Sequence, residues 1–198
     1  LEESYPLDLL YPNLSPHGLI FKLNQDPLPL LTKAILDADH AFWTKECGAT
    51  LGDWLKPETS VRSVCVFVKA VYGQKDYAHF NGDHEFVTND FATKAFSKLR
   101  VAIAGLYQWR LMQYPGAAGC VQLMAEADYA FRQAFAMCPN SREAVFRYLN
   151  FLLFKGQFDD AVLLVSTAQE LAPGDEQYNQ VLKQLLSFQR QQSRKAAH

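Results

Sequence analysis

Nothing in this chain is abundant enough to mark a specialised class of protein. Only four of its 198 residues are cysteine, at positions 47, 65, 120 and 138, and no two form a Cys-x-x-Cys pair. A zinc knuckle and a disulfide-dense scaffold are therefore both disfavoured. Glycine (10) and proline (9) are too sparse for a collagenous or low-complexity chain. Charge of one sign is also missing: 19 Lys and Arg stand against 21 Asp and Glu, a net of −2. The basic excess of a general nucleic-acid binder is absent, so nucleic acid is not an expected partner. No run approaches the roughly 20 apolar residues that span a bilayer. The start, Leu1-Glu2-Glu3, is neither a Met nor a basic signal region, and it reads as a fragment or a processed product. There is no glycine-rich phosphate loop, no Gly-x-Ser-x-Gly elbow and no Cys–His signature, so the expectation is a non-enzyme without a cofactor.

What is present is an ordinary globular composition, 49% hydrophobic and 20% charged. A chain of this length buries on the order of 70% of its unfolded surface and makes one domain or two small ones. Its first thirty residues hold Pro6, Pro12, Pro16, Pro27 and Pro29, a density that helices rarely survive. Leu19–Leu23 is the best strand there, after a Ser15-Pro16-His17-Gly18 turn, and Leu7–Tyr11 is its candidate partner in a hairpin. From Leu30 the spacing becomes helical. Leu31, Ile35, Phe42 and Trp43 share one face of a helix over about 30–47. Thr59-Ser60 caps a second helix through Val61, Val64, Phe67, Val68 and Val71. Gly73–Asn89 reads as a structured loop. A long helix follows, capped by Asp90 or Thr88, and runs to about Tyr114, where Pro115-Gly116 ends it.

The C-terminal half carries an internal repeat. Pro139 and Pro173 stand 34 residues apart, and the same offset relates Ala127 to Ala161, Phe131 to Val165 and Ala134 to Ala168. That is the tetratricopeptide period. In this phase Gly156 and Phe158 fall at the inter-helix turn, Ala161 and Ala168 at the small positions of the second helix, and Tyr148, Leu149 and Leu152 on the facing side of the first. Residues 142–175 thus form one repeat, and 121–137 is the second helix of an upstream copy whose first helix is displaced to 90–114. Glu176–Arg190 is a capping helix, followed by a polar, frayed tail. The fold class expected is mainly α: tetratricopeptide-like hairpins stacked on N-terminal helices, with a minor N-terminal β-hairpin. The division is 1–89 and 90–198 within one continuous fold.

Candidate chemistry is thin. His79, Asp83 and His84 are the most metal-like group, but they sit in a glycine-containing loop with a five-residue spacing rather than the i, i+4 spacing of a helical site. No metal is expected. Asp37, Asp39 and His40 share one helix, where neighbours in sequence do not face each other, so a charged outer face is expected and a relay is not. Cys47–Cys65 is the pair to test for a disulfide, against the alternative of buried free thiols. Trp109 and Arg110 form either a stacking platform or a packing-and-cap pair. If the repeat has a ligand groove, Phe146, Arg147, Asn150 and Phe154 line it, with Arg147 and Asn150 as a donor pair for a carboxylate or carbonyl. The alternative is that Arg147 pairs with a nearby Glu and the phenylalanines pack on neighbouring helices.

Three blocks carry a family resemblance: Phe96-Ser97-Lys98-Leu99-Arg100 with Ile103-Ala104-Gly105-Leu106-Tyr107-Gln108-Trp109-Arg110, then Tyr11-Pro12-Asn13-Leu14-Ser15-Pro16-His17-Gly18-Leu19-Ile20, and Asp39-His40-Ala41-Phe42-Trp43. They resemble the C-terminal region of bacterial multi-pass membrane proteins related to protein O-mannosyltransferases, over about residues 5–175. Gln108, where a small residue is expected, and the truncated start depart from the pattern. The resemblance implies that membrane helices and an acidic catalytic loop lie upstream, outside this chain. The membrane would be reached only through those segments, and this piece would be an extracytoplasmic (periplasmic) appendage. On that reading it is a non-catalytic interaction or scaffold domain for a protein or peptide partner. The alternative is a free-standing tetratricopeptide adaptor, then cytoplasmic, that binds a peptide in its groove.

Overall fold

The computed structural model describes residues 8–196, with side chains for 9–191. The chain is mainly helical, with one small antiparallel hairpin at its N-terminal end. A 3-10 helix, Asp8–Asn13, leads into β1 (Leu14–His17), which pairs with β2 (Ile20–Leu23) in the register Leu14 to Leu23 and His17 to Ile20. The reversal is Gly18-Leu19, and Gly18 takes the positive φ of 63° that a two-residue hairpin loop demands. The strand expected at Leu19–Leu23 is found at Ile20–Leu23, with Leu19 in the turn, but its expected partner is not. Of Leu7–Tyr11, Leu7 lies outside the described residues, and the remainder belongs to the 3-10 helix. The expected Ser15–Gly18 turn is largely β1, because a two-stranded sheet has only edges and an edge tolerates Pro16 without its N–H. Leu14 and Phe21 turn inward and bury the hairpin.

Helix α1 (Lys33–Leu51) begins later than the spacing suggests because Thr32 caps it, its hydroxyl accepting from the Ile35 N–H; it stops at Gly52, whose φ is 88°. Ser60 caps α2 (Val61–Val68), which continues as a π-helical turn to Gln74. The segment read as a loop contains a short helix, α3 (His84–Thr88), capped by Asp83. Asn89, and neither Asp90 nor Thr88, caps α4 (Asp90–Gln113): its carboxamide oxygen accepts from the N–H groups of Phe91 and Ala92. Then come α5 (Cys120–Met137), α6 (Arg142–Phe154), α7 (Phe158–Leu171) and α8 (Glu176–Ala196). The tail expected to fray is helical to Ala196.

Two helical hairpins, α4–α5 and α6–α7, stack on each other, and α8 packs on α7. The repeat positions behave as the 34-residue phase requires. Val145, Tyr148, Leu152, Ala161, Val165 and Ala168 are completely buried and Leu149 nearly so. Gly156 makes the turn between α6 and α7 at φ 74°. Each large apolar side chain buried in this way contributes roughly 1.5–3 kcal/mol. The N-terminal half is not separate from this stack. Helix α1 packs on α5, and α2 on both α5 and α7. The Tyr129 hydroxyl donates to Leu55 O (2.9 Å), the Tyr72 hydroxyl to Met137 O (2.8 Å), and Arg132 to Thr59 O. Cys47 and Cys65 are free and buried, so the disulfide reading gives way to buried thiols. Among the described residues no helix is long and apolar enough to cross a membrane.

Candidate functional site

A broad concavity lies between α6 and α8, two alternate helices of the stack that run in the same direction. Aromatic pairs mark its ends: Phe146 meets Tyr178 with ring centroids 5.4 Å apart, and Phe158 meets Phe188 at 5.5 Å. Between them a groove of about 1230 Å³ has a floor of Leu149, Leu153, Val181 and Leu185. Its polar lining is wholly amide: Asn150 from α6, and Gln177, Gln180, Gln184 and Gln189 from α8. The spacing explains the walls. Phe146, Leu149, Asn150 and Leu153 stand at i, i+3, i+4 and i+7, and Gln177, Val181, Gln184 and Phe188 follow the same rule, so each set occupies one helix face. Among the described residues no ionisable side chain lines the groove. It can desolvate an apolar surface and answer polar edges with amides that both donate and accept. It holds no group suited to proton transfer.

The expected ligand set divides on this geometry. Phe146 and Asn150 line the groove. Arg147 turns away: its guanidinium pairs with Glu143 at 3.1 Å and lies against α4 at Gly105, where a Cβ would stand 2.5 Å from Nη1. Phe154 is half-exposed beside Phe151, outside the groove lining. The Arg147–Asn150 donor pair for a carboxylate is therefore not assembled, and the alternative pairing of Arg147 with a local Glu is the one observed. The glutamines of α8 were not anticipated. Their signal was a one-sided stripe, Tyr178, Val181, Leu185 and Phe188, on a helix read only as a cap.

Trp109 and Arg110 make no open platform. The N-terminal segment covers them: Tyr11 packs edge-on against Trp109 at 5.6 Å, and Arg110 Nη2 donates to the carbonyls of Leu14 (2.8 Å), Leu28 (3.2 Å) and Pro12 (3.4 Å). Burial lowers the Arg110 pKa to about 10. His79 is exposed, Asp83 serves as the cap of α3, and the His84 ring rests 4.6 Å from Tyr77. Among the described residues no group of three His, Cys, Asp or Glu side chains could hold a metal ion.

The outer charged face expected for Asp37, Asp39 and His40 holds only in part. Asp37 is exposed and pairs with Lys33. His40 is part-buried and reaches Glu126 at 3.0 Å. Asp39 is buried: its Oδ2 accepts from Arg100 Nη1 (2.7 Å) and the Tyr107 hydroxyl (2.6 Å). Arg100 Nε in turn donates to Gln133 Oε1 (2.7 Å), and its guanidinium lies 5.0 Å from the Trp43 ring centroid. Burial works against the charge on Arg100, but the Asp39 carboxylate and its hydrogen bond outweigh it and raise the pKa. Burial first, then Asp39, raises the Tyr107 pKa well above its ordinary value. These bonds tie α1, α4 and α5 together, while Asp39 Oδ1, Arg100 Nη2 and Gln133 Nε2 are buried without a hydrogen-bond partner among the described residues. No protein-family model, no curated protein and no solved structure matches this chain.

Proposed function

We propose that this chain is a non-catalytic interaction domain that docks a protein or peptide partner in the groove between α6 and α8. The observation that carries the reading is the groove's lining: an apolar floor open to solvent, rimmed by neutral amides, with no ionisable group among the described residues. Leu153 and Phe188 remain 39% and 48% exposed there, while the core-facing repeat positions Val145, Tyr148, Leu152, Ala161, Val165 and Ala168 are completely buried. Exposed apolar concavities with a polar rim are the usual mark of an interaction surface. The resemblance to the C-terminal region of O-mannosyltransferase-related membrane proteins supports a wider setting. There the domain would be an extracytoplasmic scaffold beside a membrane-embedded glycosyltransferase-like part. A free-standing adaptor would use the same groove.

The test is site-specific photocross-linking in the native host, with the photoreactive residue at Gln180 or Gln184 and, as control, at the exposed Glu58. A discrete adduct from both groove positions and none from the control is expected. Adducts from all three positions, or from the control alone, would refute the reading.

A further inference from the structure

We infer that the occupant of the groove is a single amphipathic helix of about three to four turns, from another protein, with an uncharged apolar stripe facing inward. This rests on the reading of the groove as a docking surface and adds the partner's form. The lined part of α8, Gln177 to Gln189, is about 18 Å long at a rise of 1.5 Å per residue. A helix of that length presents some six inward positions at i, i+3, i+4, i+7, i+8 and i+11. An extended strand over the same distance has about five or six residues and turns only about three side chains inward. Its backbone would also need partners, and the walls supply no sheet edge, because both are helices that satisfy their own backbone bonds. A helical partner satisfies its backbone internally and matches the floor with more apolar side chains.

Charge narrows the partner further. With no ionisable residue in the described lining, an ionised side chain carried in between Gln177 and Gln189 would lose water and gain no counter-charge there. The inward stripe is therefore uncharged, and the flanks of the partner helix meet Asn150, Gln180 and Gln184 with side chains that exchange hydrogen bonds with amides. A second copy of this chain does not fit. Among the described residues the other strongly exposed large hydrophobics are Leu9, Ile20, Leu23, Val66, Phe91, Met112 and Val121; Ile20 and Leu23 share the short strand β2, Phe91 and Met112 stand at opposite ends of α4, and none belongs to an outward helical stripe.

The test is selection from a display library of fully randomised peptides about four helical turns long, against the whole chain. Selected peptides are then compared with Pro-interrupted versions and against the groove variants Leu153→Glu and Gln184→Glu. Both substituted residues are exposed, and unchanged far-UV circular dichroism checks that each variant folds. The expected result is enrichment of apolar residues at i, i+3/i+4 and i+7 without proline, with at least tenfold weaker binding on Pro interruption and for each variant. Enrichment of alternating or Pro-rich peptides that bind in the groove would overturn the helical partner and leave the docking reading standing. Binding indifferent to both variants, or laurate binding without any peptide enrichment, would overturn both. Self-association abolished by Leu153→Glu would assign the groove to a second copy and overturn the inference.

Discussion

Replacing Asp39 by Ala tests the most consequential contact in the core. Asp39 and Arg100 have side chains 1% and 0% exposed and a 2.7 Å ion pair. The same carboxylate oxygen accepts the Tyr107 hydroxyl at 2.6 Å. Removing Asp39 leaves a guanidinium with no counter-charge in the interior and a phenol without its acceptor. Breaking a buried pair from one side costs about 3–5 kcal/mol, a large share of the roughly 5–15 kcal/mol that holds a domain together. For a chain of this size the expected fall in Tm is on the order of 6–20 °C. Urea unfolding followed by circular dichroism and tryptophan fluorescence reads the change, since Trp43 lies against Arg100. Asp39→Ala combined with Arg100→Met removes both charges, and the double variant is expected to be more stable than Asp39→Ala alone. A loss below about 1 kcal/mol, the value of a surface ion pair, would refute the reasoning, and so would simple additivity in the double variant.

Ala161→Leu overpacks the closely apposed α6–α7 pair, because Ala161 is completely buried, and should destabilise by about 1–3 kcal/mol in the same urea assay; an unchanged midpoint would count against the repeat geometry. In titration with a thiol reagent Cys120 should react first, since Cys47, Cys65 and Cys138 are buried; a Cys120→Ser variant that keeps the fast phase would contradict this. Stability should fall on the alkaline side: burial pushes the Cys47 thiol from 9.0 up to about 12, so its contribution is complete below about pH 9 and is lost as pH rises towards 12, about 4 kcal/mol over the whole window. Buried Tyr107 and Tyr148, also raised chiefly by burial, act in the same direction, and a urea midpoint that does not fall between about pH 8 and 10 would show the sign to be wrong.

The helical stack was legible because its information is local or periodic. The offset that aligns Pro139 with Pro173 also aligns Ala134 with Ala168, and both alanines are completely buried. Helical spacing alone puts Asp39 on an outer face, because its partners, Arg100 and Tyr107, lie on another helix 61 and 68 residues away. No helical spacing reports such a contact. Arg147 was assigned to the groove for a related reason. Its true neighbour is the notch left by Gly105 on α4, a missing side chain whose effect is visible only once α4 and α6 are packed. The hairpin partner failed on turn chemistry: Gly18 reverses the chain with Leu19, two residues after Pro16, and this shifts the pairing to Leu14–His17. Phe146 and Asn150 are legible because helical spacing alone separates them from the core-facing Val145, Tyr148 and Leu152.

The same packing that forms the groove makes its two walls unequal. Helix α6 is held between α5 and α7, with Val145, Tyr148, Phe151 and Leu152 fully buried. Helix α8 packs mainly on α7 and buries only Tyr178 and Leu185 among its described side chains. One tether at its first turn is the pair of Arg142, whose side chain is exposed, with Asp175 at 2.6 Å. Local opening is easiest where few apolar contacts resist it. Amide exchange should therefore be fastest in α8 and slowest in α5, which is buried without interruption from Tyr129 to Met137. A bound helix spans both walls, so it should slow exchange in α8 more than in α6, and a smaller effect on α8 would mean that the ligand does not bridge the groove. Equal protection of α8 and α5 in the free chain would show that α8 is as firmly held as the core and remove the asymmetry from which this argument starts.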